Sequence, residues 1–130
     1  MIAFSEAAAI AVHAMIFLAA AEDRPHALKE ISTAYAVSDN HLSKVLQKLV
    51  KAGYLVSVKG PKGGYQIASG KRSATLMEIY EAIEGPWQAS SCLFSGVRKT
   101  PCCCVMRPML ASINKTFYDF MTSRTIENPC

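Results

Sequence analysis

The stretch from Ser38 to Ala68 constrains the fold most, because an amphipathic segment is followed at once by a short, basic, glycine-rich pair of strands. In the first part, apolar residues recur at i, i+3, i+4 and i+7 and predict one buried helical stripe, formed by Leu42, Val45, Leu46 and Leu49. Ser38 is a candidate N-cap, and Gly53 stands where a helix end favours a positive φ. The pattern predicts a supported helix over 38–52 that keeps a polar face uncovered.

Two short alternating segments follow this helix, at Leu55 to Val58 and Tyr65 to Ala68, on either side of the turn KGPKGG. Such alternation around glycines predicts an antiparallel hairpin. Residues 36–38 are short enough to be the turn of a helix-turn-helix that begins with a helical segment over 26–35. The predicted fold class is therefore mainly α with a small β-hairpin wing, a winged helix-turn-helix whose recognition helix is 38–52.

Basic residues are concentrated in the same region, although the formal net charge of the whole chain is only +4. Between positions 38 and 72 the one acid is Asp39, and the basic residues are Lys44, Lys48, Lys51, Lys59, Lys62, Lys71 and Arg72. A positive field localised over a helix and a hairpin is typical of duplex DNA binding. The alternative is a solvated basic face without a partner, which fits a lone helix better than a helix with an attached hairpin.

The predicted DNA-binding residues fall into three groups. Those expected to face base edges or nearby phosphates are Asn40, His41, Ser43, Lys44 and Gln47. Those expected to neutralise the backbone are Lys48, Lys51, Lys59 and Lys62. Ser38, at the start of the helix, and Gly60, Gly63 and Gly64, in the turn of the wing, complete the predicted surface.

The flanking segments predict the remaining elements. An apolar opening helix is expected over about 4–21, and Thr75 to Glu78 matches a capping box that opens a helix ending near Gly85. Residues 87–104 show no periodicity and predict a loop, after which helical spacing returns from Pro108. The predicted organisation is a DNA-binding domain over 1–86, a cysteine-rich sensor loop over 87–107, and a dimerisation helix with a C-terminal tail over 108–130.

The last helix carries an apolar stripe that lies beyond a compact winged-helix core. Its residues are Leu110, Ile113, Phe117, Phe120 and Met121. A second copy of the chain is expected to cover this stripe, with packing back onto its own domain as the alternative.

The apolar opening segment raises the question of a membrane or export signal. It lacks a basic start, and Glu6 and His13 interrupt it, so a helix buried on most sides is expected instead. The expected location is a reducing cytoplasm, with no membrane partner. Five cysteines in such a compartment favour metal or redox chemistry over structural disulfides.

Four of the cysteines, Cys92 and Cys102 to Cys104, crowd into the predicted loop. Thiolates at this density suit soft metals and iron–sulfur clusters. Cys102 and Cys104 point to the same side of an extended segment, so with Cys92 they form the preferred trio, and Cys103 is a substitute. A fourth ligand could come from Glu6, His13 or His26. The alternatives are a reversible thiol–disulfide sensor or incidental thiols.

These motifs together resemble the winged-helix repressor family of IscR, NsrR and CymR over nearly the whole chain. The segment AGYLVSVKGPKGGYQIA, residues 52–68, looks like the family signature AG(L/Y)V-x-S-x-(R/K)G-x-x-GGY-x-LA. Ala9 to Ala19 is similar to the family's opening helix, and the segment NHLSKV at 40–45 is close to the recognition helix of the NsrR branch. Cys92 and Cys104 match the first and last of the family's three cluster cysteines.

Several positions depart from the family pattern. The middle cysteine's usual place falls at Arg98 or Lys99, so Cys102 or Cys103 would replace it. The histidine that some members carry after the last cysteine is replaced by Arg107. The aspartate of the NsrR branch aligns with Ala9, which lies one helical turn from Glu6. The arginine of the family's wing is replaced by Lys59.

The resemblance implies a homodimeric, cytoplasmic transcriptional repressor that binds a palindromic operator in double-stranded DNA. It also implies a cysteine-ligated iron–sulfur cluster, two-iron or four-iron, that senses nitric oxide, redox state or iron–sulfur status. One alternative is a cluster-free repressor regulated by a thiol switch or a partner protein. Another is a small iron–sulfur electron-transfer protein, which would leave the basic helix and wing without a task. No nucleophile–base pair stands out in the sequence, so we expect no enzymatic activity.

Overall fold

A computed structural model describes residues 4–92 and 106–130, which form five helices and one hairpin. The elements are α1 (Glu6–Ala20), α2 (Leu28–Tyr35), α3 (Asp39–Lys51), β1 (Leu55–Val58), β2 (Gly64–Ile67), α4 (Leu76–Glu84) and α5 (Arg107–Ser123). The predicted fold class is confirmed. The second strand begins and ends one position earlier than the sequence pattern suggested.

Helix α1 lies at the centre of the core and packs against both α3 and α4. Its buried residues occupy most of its circumference: Ala8, Ile10, Ala11, Val12, Ala14, Met15 and Leu18. Ser5 caps its start by accepting a hydrogen bond from the Ala8 amide. The continuous apolar run is explained by burial on most sides. Within residues 4–92 and 106–130, no helix has the length and hydropathy needed to cross a membrane.

The turn between α2 and α3 fixes the angle at which α3 leaves the core. Ala36 adopts a left-handed conformation with φ of +53°, and the Val37 amide donates to the Ser32 carbonyl. The Ser38 hydroxyl then accepts from the His41 amide at 3.2 Å and caps α3. Lys29 of α2 lies 3.3 Å from Asp39 at the start of α3. Hydrogen bonds from Ser32 and Lys29 lower the pKa of Asp39.

The hairpin is antiparallel, with Leu55 opposite Ile67 and Ser57 opposite Tyr65. Leu55 and Ile67 are buried, so this face of the hairpin packs on the core. The hairpin is also tied to the segment before α2: the His26 amide donates to the Tyr65 carbonyl at 2.9 Å, and the Tyr65 amide donates to the His26 carbonyl at 2.8 Å. The wing is therefore attached to the helix-turn-helix by two backbone hydrogen bonds.

Helix α4 begins with the predicted capping box, in which the Thr75 hydroxyl accepts from the Glu78 amide and the Glu78 carboxylate accepts from the Thr75 amide. Helix α5 packs on α4, and the chain beyond it returns to the core. The Leu76 amide donates to the Arg124 carbonyl, and the Ile126 amide donates to the Ala74 carbonyl. Ile126 is fully buried as a result.

The apolar stripe of α5 is divided between the chain's own interior and the surface. Leu110 and Met121 are buried within the chain, and Phe117 is half-buried against Tyr80 and other rings. The expectation that a second chain covers the whole stripe therefore does not hold for Leu110 and Met121, because the protomer already covers them. Ile113 and Phe120 remain exposed, with 43% and 47% of their surface accessible.

Candidate DNA-binding surface and cysteine segment

Helix α3 presents a polar ridge that points directly away from the core. Its inner face is formed by the predicted stripe, in which all four residues are at most 2% exposed: Leu42, Val45, Leu46 and Leu49. At 3.6 residues per turn, the residues opposite this stripe are Asn40, Lys44, Gln47 and Lys51. All four are exposed. The ridge leaves side chains with amide and ammonium donors free to meet a groove.

The other predicted residues of α3 flank this ridge. His41 and Ser43 are half-buried on opposite sides of it, and Lys48 is exposed beside Lys44. Ser38 is engaged in capping, since its hydroxyl oxygen accepts from the His41 amide. The structure thus separates a central ridge from flanking positions, a distinction that the sequence pattern alone did not make.

Five lysines of α3 and the wing are exposed and, within the part of the chain that the structure describes, have no acidic partner: Lys44, Lys48, Lys51, Lys59 and Lys62. Three other cations are engaged in ion pairs. Lys29 pairs with Asp39, and Lys115 pairs with Asp119 on α5. Arg24 pairs with both Glu22 and Glu30. Within residues 4–92 and 106–130, the lysines of α3 and the wing are therefore free to meet phosphate.

Two basic residues from the same stretch of sequence take other roles. Arg72 pairs with Asp23 and Glu127 at 3.5 Å and donates to the Ala19 carbonyl at 2.8 Å. The ammonium of Lys71 lies 5.1 Å from the centre of the Tyr54 ring. These contacts join separate elements of the protomer. Of the seven basic residues that the sequence places between positions 38 and 72, the five lysines of α3 and the wing are therefore the candidates for contacting DNA.

Two of the wing glycines have a structural role that sequence reasoning did not identify. A Cβ on Gly63 would lie 2.1 Å from the Val58 carbonyl oxygen, and one on Gly64 would lie 2.1 Å from that of His26. Gly60 instead has open space around it and a φ of +108°, which suits a turn. The repeated glycines thus permit close backbone approach, and a side chain would displace the hairpin.

Of the predicted metal ligands, Cys92 is exposed and Cys102, Cys103 and Cys104 lie outside the described residues. An exposed thiol fits a soft metal or an iron–sulfur cluster in its donor chemistry. Among residues 4–92 and 106–130, no group of three His, Cys, Asp or Glu side chains comes together as a metal site.

The three candidates for a fourth ligand occupy different environments. His13 is exposed, holds the Ala9 carbonyl at 2.8 Å through Nδ1, and packs on Tyr35. His26 is buried, its Nε2 lies 2.9 Å from the Glu22 carbonyl, and its Nδ1 lies 3.3 Å from a Glu30 oxygen without hydrogen-bond geometry. Glu6 is exposed in the first turn of α1.

Comparison with known proteins agrees with this architecture. The model of the Rrf2 family, described as iron-dependent transcriptional regulators, matches residues 4–128. BadM of Rhodopseudomonas palustris, named as an HTH-type transcriptional regulator, is 41% identical over 73 residues, which are 56% of this chain and 47% of that protein. The HTH-type transcriptional regulator IscR of Vibrio campbellii is 27% identical over 89% of this chain and 70% of its own length. The structure of CymR, the global cysteine regulator of B. subtilis, superposes with a TM-score of 0.78 at 25% identity and covers 98% of this chain and 95% of that one.

Proposed function

Because the chain belongs to the Rrf2 family of transcriptional regulators, we propose that it is a DNA-binding repressor that reads its operator with the α3 ridge and the wing. The observation that carries the proposal is the set of five exposed lysines without acidic partners in the described residues, placed on the two elements that a winged helix-turn-helix offers to DNA. Asn40, Lys44 and Gln47 would contact base edges, and the remaining lysines would neutralise phosphates.

Operator binding is proposed to require a homodimer. Ile113 and Phe120 are exposed on α5, and helical spacing places them on one face together with Met109, which is 43% exposed. A second copy would remove this apolar surface from water and set the distance between two recognition helices. The operator would accordingly be palindromic. In this proposal residues 1–86 bind DNA, residues 87–107 form the sensor loop, and residues 108–130 form the dimerisation helix and tail.

The sensor is proposed to be a cysteine-ligated iron–sulfur cluster in a cytoplasmic protein. Support comes from the iron dependence named in the family description and from the soft donor set, with Cys92, Cys102 and Cys104 as ligands and Cys103 as substitute. A bound cluster would supply reactivity toward nitric oxide or oxygen. The second candidate is a cluster-free thiol switch, which is favoured by the exposure of the Cys92 thiol and by the likeness to CymR, named as a cysteine regulator.

The salt dependence of DNA binding tests the proposal. An operator duplex is first selected from a random-sequence pool by the protein itself, and its affinity is measured by fluorescence anisotropy at several salt concentrations. If each protomer neutralises roughly four phosphates, log K falls against log salt with a slope on the order of −7. Lys48→Ala, at an exposed lysine assigned to phosphate, should reduce this slope by about one for each protomer, whereas Lys115→Ala, at an ion-paired lysine of α5, should leave it unchanged. A wild-type slope near zero would contradict the assigned surface.

A further inference from the structure

The Cys92 segment, residues 87–92, follows α4 and lies along one face of α5. The side-chain amide of Asn114 donates to the Ser90 carbonyl at 2.8 Å. The Ser90 hydroxyl in turn donates to the Cys92 carbonyl at 2.7 Å. Two hydrogen bonds in series therefore connect the middle of α5 to the backbone of the first cysteine.

A second contact fixes the beginning of the same segment. The Trp87 amide donates to a carboxylate oxygen of Glu81 on α4 at 3.0 Å. Its indole ring packs on α5, with ring centres 5.7 Å from Phe117 and 5.6 Å from Tyr118. Asn114, Phe117 and Tyr118 are three and four positions apart, so the segment contacts a single face of the helix.

This face lies beside, and not on, the exposed apolar face of α5. Successive residues are separated by about 100° around a helix, which places Asn114 and Tyr118 on one side of Phe117 and Ile113 and Phe120 on the other. Phe117 itself packs inward on Tyr80, with ring centres 5.4 Å apart. A change in the Cys92 segment would therefore act on one side of α5, whose other side carries the proposed dimer contact.

We propose that Asn114 is a positioning residue that couples the chemical state of the Cys92 segment to α5 and so to DNA affinity. This inference rests on the proposed function, since it presupposes a cysteine-dependent response of operator binding. The amide is suited to the role because it is the one group of α5 in the described residues that donates directly to the backbone of this segment. Loss of this hydrogen bond would leave the segment free to change without moving the helix.

The test compares wild-type protein with Asn114→Asp, a nearly isosteric change that removes the donor. Asn128→Asp, at an exposed residue of the C-terminal tail, serves as a charge-matched control. The cysteines of each protein are alkylated with N-ethylmaleimide, and operator affinity is measured before and after treatment. The wild type and the control should respond by about fivefold or more. Asn114→Asp should respond by less than about twofold, while its thiols react to the same extent and its unalkylated form still binds the operator.

The outcomes distinguish the coupling role of Asn114 from the cysteine-dependent response itself. A response in the wild type that Asn114→Asp retains in full would overturn the coupling role of Asn114 and leave the sensor intact. An absence of response in the wild type would overturn the cysteine-dependent sensor, and with it the coupling. Restoration of the response in Asn114→Gln, which keeps an amide donor, would further support hydrogen bonding as the cause.

Discussion

The carbonyl oxygen of His26 lies so close to Gly64 that a Cβ on the glycine would be 2.1 Å away from it. The residue before α2 and the second strand of the wing are therefore in backbone contact, and both backbone hydrogen bonds between His26 and Tyr65 depend on this approach. The wing is held against the helix-turn-helix by a contact that only glycine allows.

Replacement of this glycine should weaken the fold at the wing. Gly64→Ala should lower the free energy of unfolding by roughly 2–4 kcal/mol, because the new methyl group meets backbone and the φ of +148° is unfavourable for alanine. Gly70→Ala is the control, since that position has a φ of +79° but open space, and should cost only about 1 kcal/mol. Denaturant unfolding measures both values. Equal losses in the two variants would show that the close approach to His26 has no energetic weight.

The exposed face of α5 leads to a prediction about assembly. Ile113→Glu and Phe120→Glu should give folded monomers with poor operator affinity, because each puts a charge into the proposed dimer contact while its side chain has little contact with the core. Ala111→Glu, at an exposed position on a different face of the helix, should remain dimeric. Sedimentation velocity at micromolar concentration distinguishes these states. A monomeric wild-type protein under the same conditions would contradict the assembly.

The sequence places Phe117 in the same apolar stripe as Ile113 and Phe120, whereas in the structure Phe117 packs inside its own protomer. Its ring meets those of Phe4, Tyr80 and Trp87, so a charge at this position should destabilise the protomer itself. The spacing of apolar residues along α5 predicts which positions share a stripe. It does not predict how much of that stripe the same chain covers, because this depends on contacts with α4 and the N-terminal segment.

The same limit explains the other differences between sequence and structure. Local patterns were sufficient for α3, the hairpin and the α4 capping box, since periodicity, turn residues and caps act over a few neighbouring positions. The pairing of Arg72 with Asp23 and Glu127 joins parts of the chain that are distant in sequence. The proximity of Gly64 to His26 is also nonlocal, so neither could be derived from spacing.

Acid titration should report on the start of α2. The hydrogen bond from Arg24, and then that from the Ala27 amide, lower the pKa of Glu30 from its ordinary 4.5. A carboxyl with a lowered pKa in the folded state stabilises the protein above its unfolded pKa, and this contribution is lost as the pH falls through the folded value. The difference in unfolding free energy between wild type and Glu30→Gln should thus be present at neutral pH and shrink in acid. A difference that grows on acidification would contradict this assignment.

The cysteines lead to a spectroscopic prediction. Protein purified without oxygen should absorb in the visible through thiolate-to-iron charge transfer, and nitric oxide or oxygen should bleach this absorption. Cys92→Ala or Cys104→Ala should abolish the colour and alter DNA affinity, whereas Cys130→Ala should do neither. Cys103→Ala should have a mild effect. Colourless, iron-free anaerobic protein that is still regulated without Cys92 would reject the cluster and favour the thiol switch or partner-regulated alternative.

The most direct test of the central claim compares operator and random-sequence duplexes in one anisotropy experiment. Gln47 lies on the α3 ridge and Lys62 in the wing turn, so their truncations should affect binding in different ways. Gln47→Ala should weaken operator binding by about 1–3 kcal/mol and leave random DNA almost unaffected, because an amide reads base edges. Lys62→Ala should weaken binding to both duplexes alike, because an ammonium contacts phosphate. Equal losses on both duplexes for both variants would show that α3 does not read the operator.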